Sequence, residues 1–417
     1  MPVTPKELRK YIDVNRVQRR LDELSDIGAT SDGGVTRPAY SEAENEAFEY
    51  LLEELPNGYV VEEDSIGNVF ATPDPDAERS IFTGSHLDTV FNGGYLDGAL
   101  GVVASLEAIT AVYESNAELA YPPTLAVFRA EESARFGHHT IGSRAAIGML
   151  DVNTFSAVDQ NDIPLWRAMQ KVGFQPENLS EPSIDLDRVA AFLEIHIEQG
   201  RVLEESGDDL GVVSSIRAPV RYEFTVTGDY DHSGATPMEL RQDALTAASK
   251  MIVSIEEKAS NAAEAGDIVG TVGTVTAVDG SINQVCGEVT FQLDLRSADI
   301  DYRDNVESTI LEEVERIADS QEVTVERTLI DRTEPVTLDD DVVSALESGA
   351  QRVETDYQVM PSGGGHDAMN FQLAGIPTGM LFVPSVDGVS HNPNEKTTEK
   401  AIEDATRTLA RTLIEYE

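Results

Sequence analysis

The stretch around which this chain is organised is residues 81–102, which read IFTGSHLDTVFNGGYLDGALGV. It opens with a short apolar run that is typical of the end of a buried strand, and it closes with an apolar run that is typical of a helix packed on a sheet. A strand, a glycine-rich loop and a helix present polar groups at the carboxyl edge of an open α/β sheet. The stretch therefore predicts an α/β domain with His86, Asp88 and Asp97 at such an edge.

The spacing of these three residues favours a metal site. His86 and Asp88 are two residues apart, so they share a face on an extended chain. Asp88 is then placed behind His86, where a carboxylate fixes the tautomer of a metal-bound histidine. Asp97 lies among glycines that let the backbone turn sharply, and its two oxygens can bridge two cations. By itself the pattern is equally compatible with an ordinary surface loop.

The overall charge restricts the partners of the chain. Its 417 residues are ample for a core and for two or three domains, but the formal net charge is −46. Such acidity argues against a nucleic acid or an anionic membrane as partner, since both reward basic surface. Acidic excess with little lysine is typical of proteins that work in multimolar salt, which screens the self-repulsion, and it predicts a halophilic source.

The cysteine content and the amino-terminal residues bear on the compartment. Cys286 is the single cysteine, so the sequence allows no intrachain disulfide and no cysteine metal cluster. The first twenty residues contain no apolar segment typical of a signal peptide, and no stretch is apolar enough to span a bilayer. We therefore expect a soluble cytoplasmic protein.

The pattern of apolar runs predicts two domains. An α/β pattern covers residues 1–216 and 331–417, beginning with an amphipathic helix over residues 4–27. Between them, residues 217–330 predict strand, helix, two strands, helix and strand, which is the order of a ferredoxin-like fold. The predicted elements of this insert are strands 220–227, 268–278, 288–296 and 323–330 and helices 238–263 and 302–320.

Further histidines and acidic residues follow predicted strands of the outer domain. A glutamate pair in a very acidic protein is usually solvated surface charge, and one histidine in an apolar strand is usually a core residue. Their joint occurrence indicates a site, because carboxyl ends of neighbouring parallel strands meet at one sheet edge. The groups in question are His86 with Asp97, Glu131 with Glu132, His196, and His391.

Only imidazoles and carboxylates are available in this set, which suits zinc, manganese, cobalt or nickel. We expect two divalent cations that share Asp97 and keep an open position for water. One cation takes His86, Asp97 and His196. The other takes Asp97, Glu132 and His391.

The second member of the glutamate pair, Glu131, is then left for acid–base work. Adjacent loop residues can point in different directions, so one binds metal while the other takes a proton. We expect Glu131 to be the general base that deprotonates a water acidified by the cations.

Motifs along nearly the whole chain carry a family resemblance. The sequence closely resembles the hydantoinase/carbamoylase amidases of the M20 peptidase superfamily, which include N-carbamoyl-L-amino-acid hydrolases, β-ureidopropionases and allantoate amidohydrolases. The resemblance implies an M20-type catalytic domain, with a mixed sheet flanked by helices, and an inserted ferredoxin-like α+β domain that serves as lid and dimerisation domain. The motifs are, in order, GSHLDTV, NGGYLDGALGV, EESARFG, GSRA, HIEQG, HSGATPM, PSGGGHDAMN and SHNPNEKT.

The same resemblance implies which residues bind substrate. Gln199 touches the ureido group, and His232 stabilises the oxyanion, either in its own copy or in the neighbouring subunit of a homodimer. Asn283 and Arg296 hold the substrate carboxylate. Backbone amides near Gly363 and Gly365 complete the pocket.

Arg296 also makes chemical sense without the resemblance. It ends the apolar strand VTFQLDLR, where a guanidinium offers a bidentate fork to a carboxylate. The alternative is an ordinary surface arginine.

These inferences predict a metal-dependent amidohydrolase. It cleaves the carbamoyl C–N bond of an N-carbamoyl-L-amino acid and gives the amino acid, ammonia and carbon dioxide. Allantoate and N-carbamoyl-β-alanine are competing substrates within the same chemistry. An M20 aminopeptidase or dipeptidase, or a binding protein without catalysis, are the alternatives from other classes.

Overall fold

The structure, a computed structural model that describes residues 8–175 and 181–417, divides into two compact units. Unit 1 consists of Met1–Ser214 and Leu338–Glu417, and unit 2 consists of Ser215–Thr337. The sequence predicts these divisions after residues 216 and 330. The first division lies two residues earlier than predicted, and the second lies seven residues later, because the last long strand of unit 2 runs on to Arg332 and a short strand follows it at Val336–Thr337.

The strands of the described residues are β1 (Val60–Glu63), β2 (Val69–Thr72), β3 (Ser80–His86), β4 (Pro123–Phe128), β5 (Val189–Ile197), β6 (Leu210–Ile216), β7 (Ala218–Thr227), β8 (Asp231–His232), β9 (Val269–Ala277), β10 (Gln284–Val285), β11 (Glu288–Ser297), β12 (Thr324–Arg332), β13 (Val336–Thr337), β14 (Tyr357–Ser362) and β15 (Thr378–Val383).

The α-helices of the same residues are α1 (Val14–Asp26), α2 (Glu42–Glu54), α3 (Ala99–Glu114), α4 (Ile141–Ala146), α5 (Leu165–Lys171), α6 (Val202–Ser206), α7 (Ala244–Ala263), α8 (Ile300–Ser320), α9 (Asp340–Val353), α10 (Asp367–Leu373) and α11 (Glu399–Glu415). Short 3₁₀ turns lie at Val152–Ser156, Leu186–Arg188, Met238–Leu240 and Val386–Gly388.

A mixed sheet forms the centre of unit 1, with strand order β1-β2-β4-β3-β5-β15-β6-β13 and β14 beside β6. The four strands β4, β3, β5 and β15 are mutually parallel, and the pairs β1-β2, β2-β4, β15-β6 and β6-β13 are antiparallel. Strands β4 and β5 are buried along their whole length, as expected for parallel strands that are covered on both faces. Helices pack against this sheet, and the predicted fold of a mixed sheet flanked by helices is confirmed.

The first helix differs from its prediction. The predicted helix over residues 4–27 begins outside the described residues, since residues 4–7 are not among them. Helix α1 itself starts only at Val14, because Asp13 is extended (φ −108°) and its carboxylate caps the helix by accepting the N–H of Arg16. The prediction of one continuous helix is therefore wrong.

Unit 2 contains an antiparallel sheet with strand order β12-β7-β11-β9. Its chain order of β7, α7, β9, β11, α8 and β12 is the ferredoxin-like order that the sequence predicts. Side chains of β7 and β11 alternate between buried and half-buried, and helices α7 and α8 cover the buried face. The predicted start of α7 at residue 238 is wrong, because Asp243 caps that helix by accepting the N–H of Thr246.

The two edges of the unit 2 sheet differ in charge. Edge strand β12 reads TVERTLIDR, whereas edge strand β9 reads VGTVGTVTA and carries no charged side chain. Charges on an edge strand discourage pairing with another chain, and β9 lacks this protection.

In the part of the chain that the structure describes, no helix combines the length and the apolar character needed to cross a bilayer.

Candidate metal centre

The candidate site lies at the carboxyl edge of the four parallel strands. His86 is the last residue of β3, and His196 is the penultimate residue of β5. Glu131 follows the end of β4, and His391 follows the end of β15. Because these strands are neighbours in the order β4-β3-β5-β15, their following residues converge, as the sequence predicts.

A first group of metal donors consists of His86, Asp97 and His196, all buried. Oδ1 of Asp97 lies 3.5 Å from Nε2 of His86 and 3.1 Å from Nε2 of His196. Nδ1 of each ring lies 3.0 Å from a main-chain oxygen, that of Asp88 for His86 and that of Ile197 for His196. Each ring therefore donates from Nδ1 and turns the lone pair of Nε2 towards Asp97, as metal-binding histidines do.

A second group consists of Asp97, Glu132 and His391. Nε2 of His391 lies 3.3 Å from Oδ2 of Asp97 and 3.2 Å from Oε1 of Glu132. Oε1 of Glu132 is buried, and among the described residues no group donates a hydrogen bond to it, despite that short distance. A short distance without hydrogen-bond geometry is expected of two ligand atoms that face the same cation. Asp97 thus presents one oxygen to each group.

The charge of the cluster also fits cations. Asp88, Asp97, Glu131 and Glu132 are all buried, and within residues 8–175 and 181–417 their ion-pair partners are histidines, with no lysine or arginine among them. Burial raises the pKa of Glu132 above its usual value. Buried carboxylates without a counter-charge are costly, and divalent cations supply that charge. The donor set contains no thiolate and suits zinc, manganese, cobalt or nickel.

Asp88 lies behind His86 and also contacts the glutamate pair. Its carboxylate Oδ1 is 3.5 Å from Nδ1 of His86, and the hydrogen bond of that ring goes instead to the main-chain oxygen of Asp88. The two carboxylate oxygens accept the backbone N–H groups of Glu131 and Glu132, each at 3.0 Å. The carboxylate therefore lies next to the ring and also holds the glutamate pair in place.

Glu131 lies beside the first donor group without belonging to either. Its Oε2 is 3.8 Å from Nε2 of His86, and the side chain is buried. Burial raises its pKa well above the usual value, and the carboxylates of Glu132 and Asp367 add to the effect. Ala130 before it adopts a left-handed conformation (φ 56°), so the backbone bends directly before the glutamate pair.

Two residues that contact the donors, Glu395 and Gly98, were not predicted as site residues. Oε1 of Glu395 accepts the N–H groups of Leu96 and Asp97 at 2.9 and 3.1 Å, so this buried carboxylate fixes the loop that carries Asp97. Gly98 has φ +66°, and a Cβ there would lie 2.4 Å from the ring of His86. The motif SHNPNEKT contains Glu395 and was the available signal for it.

A buried arginine, Arg129, fixes the chain directly after β4. Nη1 of Arg129 donates to Oε2 of Glu44 at 3.0 Å, and its Nε donates to the main-chain oxygen of Gly67 at 2.9 Å. The guanidinium lies 3.8 Å from the centre of the Phe48 ring and 4.6 Å from that of Phe174. These contacts hold the strand end from which the glutamate pair emerges, and nothing in the sequence pattern distinguishes Arg129 from a surface arginine.

Gln199 and the glycine loop lie next to the donors. Nε2 of Gln199 donates to Oδ2 of Asp97 at 2.8 Å, and a Cβ on Gly364 would lie 3.3 Å from Oε1 of Gln199. Gly363 and Gly365 flank this position in the loop between β14 and α10. His366 braces the loop, because its Nε2 lies 3.0 Å from Oγ of Ser362, which contacts Gly364.

Unit 2 holds the remaining predicted residues. Nδ1 of the exposed His232 accepts the N–H groups of Gly234 and Ala235 at 3.0 and 3.1 Å, so the ring proton is on Nε2. Strand β10 pairs with β8 next to it, and the main-chain oxygen of Asn283 accepts the N–H of Ser233 at 3.0 Å. His232 and Asn283 are therefore neighbours.

Arg296 lies elsewhere in unit 2. Its Nε and Nη2 donate to the two carboxylate oxygens of Asp294 at 2.8 and 2.9 Å. It stands near the Ser297 end of β11, whereas the β8–β10 ladder adjoins the Glu288 end, where Gly228 and Gly287 are hydrogen-bonded. At about 3.4 Å per residue, Arg296 and the Glu288 end of β11 lie roughly 25 Å apart.

Comparison with known proteins gives the family. Residues 82–415 match the family described as Peptidase family M20/M25/M40. The chain belongs to this family. Its M20/M25/M40 relatives include the N-carbamoyl-L-amino acid amidohydrolase of Geobacillus stearothermophilus, which is 38% identical over 394 residues that cover 93% of this chain and 95% of that protein. The allantoate amidohydrolase of Escherichia coli K12 is 32% identical over 400 residues, 94% of this chain and 96% of that protein.

A solved structure agrees over almost the whole chain. The amidase of the hydantoinase/carbamoylase family from Burkholderia multivorans matches with a TM-score of 0.90 and 30% identity, covering 97% of this chain and 98% of that one. The predicted family and the predicted class, a hydrolase of carbon–nitrogen bonds other than peptide bonds, are confirmed. Enzymes of the M20/M25/M40 family depend on metal ions, and the two donor groups provide places for them.

Proposed function

We propose that this protein hydrolyses the carbamoyl C–N bond of an N-carbamoyl-L-amino acid and releases the amino acid, ammonia and carbon dioxide. The observation that carries the proposal is Asp97, which presents one oxygen to each of two donor groups while Glu131 lies beside the first. The Geobacillus relative, named for this activity and similar over nearly its whole length, supports the choice of substrate class.

Each residue of the centre has a task in this reaction. Two divalent cations held by the donor groups would acidify a water and polarise the carbamoyl oxygen. Glu131 takes the proton of the attacking water and returns it to the leaving amine. Asp88 fixes the backbone of Glu131, and Gln199 carries its amide next to Asp97, where it is placed for the ureido group.

The proposed role of unit 2 is to complete the pocket. His232 offers an Nε2–H donor for the oxyanion, because its Nδ1 is occupied by backbone amides. Asn283 and Arg296 lie towards opposite ends of β11, so one small substrate carboxylate cannot meet both from a single copy. This separation favours a homodimer in which His232 and Asn283 serve the neighbouring subunit, and the uncharged edge strand β9 is the proposed dimer contact.

The proposed dimer contact is tested by substitutions in the two edge strands of the unit 2 sheet, one strand at a time. Val275 on β9 and Leu329 on β12 have similar exposure, 55% and 50%. Val275→Lys is expected to give monomers in light scattering after size-exclusion chromatography, and the matched Leu329→Lys is expected to leave dimers. Monomeric wild-type protein, or equal effects of both substitutions, contradicts the proposed contact.

Mixing two inactive variants tests whether His232 acts across the dimer. In a heterodimer of Glu131→Gln and His232→Ala subunits, action across the dimer leaves one site with both residues intact, and activity returns. If each histidine serves its own subunit, both sites stay defective and no activity returns.

The activity itself is tested by measuring ammonia release at high salt, with manganese or zinc. Substrates are N-carbamoyl-L-methionine, N-carbamoyl-β-alanine, allantoate and a dipeptide control. Release from N-carbamoyl-L-methionine that a chelator abolishes supports the proposal. Glu131→Gln should lower the rate about 10²- to 10⁴-fold, whereas Glu46→Gln, an exposed glutamate in α2, should not. Dipeptide cleavage without ammonia, or ammonia from allantoate alone, refutes the proposed substrate.

A further inference from the structure

A closed loop joins the glutamate pair to α4. It leaves the site after Glu132 and returns at Thr140, whose N–H donates to the main-chain oxygen of Glu131 at 2.7 Å. Within the loop, the N–H of Gly137 donates to the main-chain oxygen of Ser133 at 2.8 Å. His139 is the last residue before Thr140, so its backbone is fixed next to that of Glu131.

The side chain of His139 lies along the glycine loop of the same unit. A Cβ on Gly365 would lie 3.8 Å from Cε1 and 3.9 Å from Nδ1 of His139. The neighbouring Gly364 lies against Gln199, which is hydrogen-bonded to Asp97. One continuous wall therefore leads from the donor groups outward through Gln199 and the glycines to His139.

The position of His139 on this wall determines what it meets. His139 is exposed, in contrast to the buried donors at the inner end, and its Nδ1 lies 3.3 Å from Oγ1 of Thr140. A ureido group bound near Asp97 and Gln199 leaves the rest of the substrate to extend outward along the wall. The first variable part of an N-carbamoyl amino acid is the substituent on its α-carbon.

We propose that His139 is a specificity-determining residue that hydrogen-bonds a polar group on the α-carbon substituent of the substrate. An imidazole has at least one N–H donor in either charge state. The substrate class is therefore N-carbamoyl-L-amino acids whose side chain carries a carboxylate or a carboxamide, in preference to aliphatic ones. This inference rests on the proposed function and narrows its substrate.

The test compares kcat/KM for N-carbamoyl-L-aspartate, N-carbamoyl-L-asparagine and N-carbamoyl-L-leucine. The proteins are wild type, His139→Leu, His139→Gln and the control His138→Leu, which alters the adjacent exposed histidine. N-carbamoylglycine, which has no side chain, is the reference substrate for each protein. Loss of one hydrogen bond to a polar or charged group corresponds to roughly a 10-fold change in preference.

The expected results separate this inference from the proposed function. The wild type should prefer the polar substrates, His139→Leu should lower the aspartate-to-leucine ratio roughly 10-fold, and His139→Gln should keep part of the preference. An unchanged ratio in His139→Leu, or an equal fall in His138→Leu, overturns the role of His139 while N-carbamoylglycine hydrolysis still supports the proposed function. A wild type inactive on every ureido compound overturns both.

Discussion

Replacement of Asp88 by asparagine tests the support of the glutamate pair. The carboxylate of Asp88 accepts the N–H groups of Glu131 and Glu132, both at 3.0 Å. Asparagine keeps one accepting oxygen and turns an NH₂ group towards the other N–H, so one charge-assisted hydrogen bond is lost and two donors face each other. The shape of the side chain stays nearly the same, which isolates the hydrogen bond from packing.

The size of the effect follows from that single bond. A hydrogen bond to a charged group contributes about 1.5–3 kcal/mol, which corresponds to roughly a 10- to 150-fold change in an equilibrium constant. Because Glu132 is one of the donors and Glu131 lies beside the first group, the loss should appear in metal affinity and in kcat/KM. Changes of partners behind metal ligands lower metal affinity by about 10- to 100-fold, which agrees with this value.

The assay is a titration of metal-free protein with zinc or manganese in competition with a chelating dye, followed by kcat/KM at saturating metal. Asp339→Asn is the matched control, since Asp339 also accepts two backbone N–H groups, at 3.0 and 3.1 Å, but at the start of α9. Asparagine caps helices about as well as aspartate, so this variant should keep its stability and its metal affinity. Metal affinity of Asp88→Asn within about threefold of wild type would refute the reasoning.

Three further outcomes are expected. Gly98→Ala should lower bound metal sharply, because its Cβ would lie 2.4 Å from the ring of His86 and the residue has φ +66°; normal metal content by elemental analysis would contradict this. The melting temperature should rise between about 0.1 M and 3 M KCl, since salt screens a net charge of −46, and a melting temperature that falls would exclude this effect. Burial and the charge of Glu194 raise the pKa of Asp367 to about 8, so the folded state binds more protons than the unfolded state from about pH 4 upward and stability should fall towards pH 8. Asp367→Asn should flatten that part of the profile in urea unfolding, and an unchanged slope would assign the pH dependence to other groups.

Three residues of the site were predictable because each stands at or near the end of an apolar run. His86, Glu131 and His196 stand at or just beyond the ends of β3, β4 and β5, and these strands are buried enough for periodicity to reveal them. Topology then brings the strand ends together, so residues far apart in sequence meet at one edge. The ferredoxin-like insert was predictable for the same reason, since its long helices and alternating strands have clear periods.

Other features depend on contacts that the sequence does not display. Helices α4 and α5 are six and seven residues long, too short for a period to emerge. Arg129 is buried against aromatic rings and Glu44, although arginine usually indicates surface. The atom by which Asp88 contacts His86 depends on the turn after β3, and H-x-D spacing does not specify it.

The points where the chain leaves and re-enters unit 1 are direct neighbours. The N–H of Leu338 donates to the main-chain oxygen of Ser214 at 2.9 Å, although 123 residues of unit 2 (215–337) lie between them. Two antiparallel positions held this close can be joined by a tight turn of a few residues. A recombination event that gains, loses or exchanges the residues between them therefore leaves β3, β4, β5 and β15, the strands at whose ends the site residues lie, unchanged. The gene can exchange its second unit in one step.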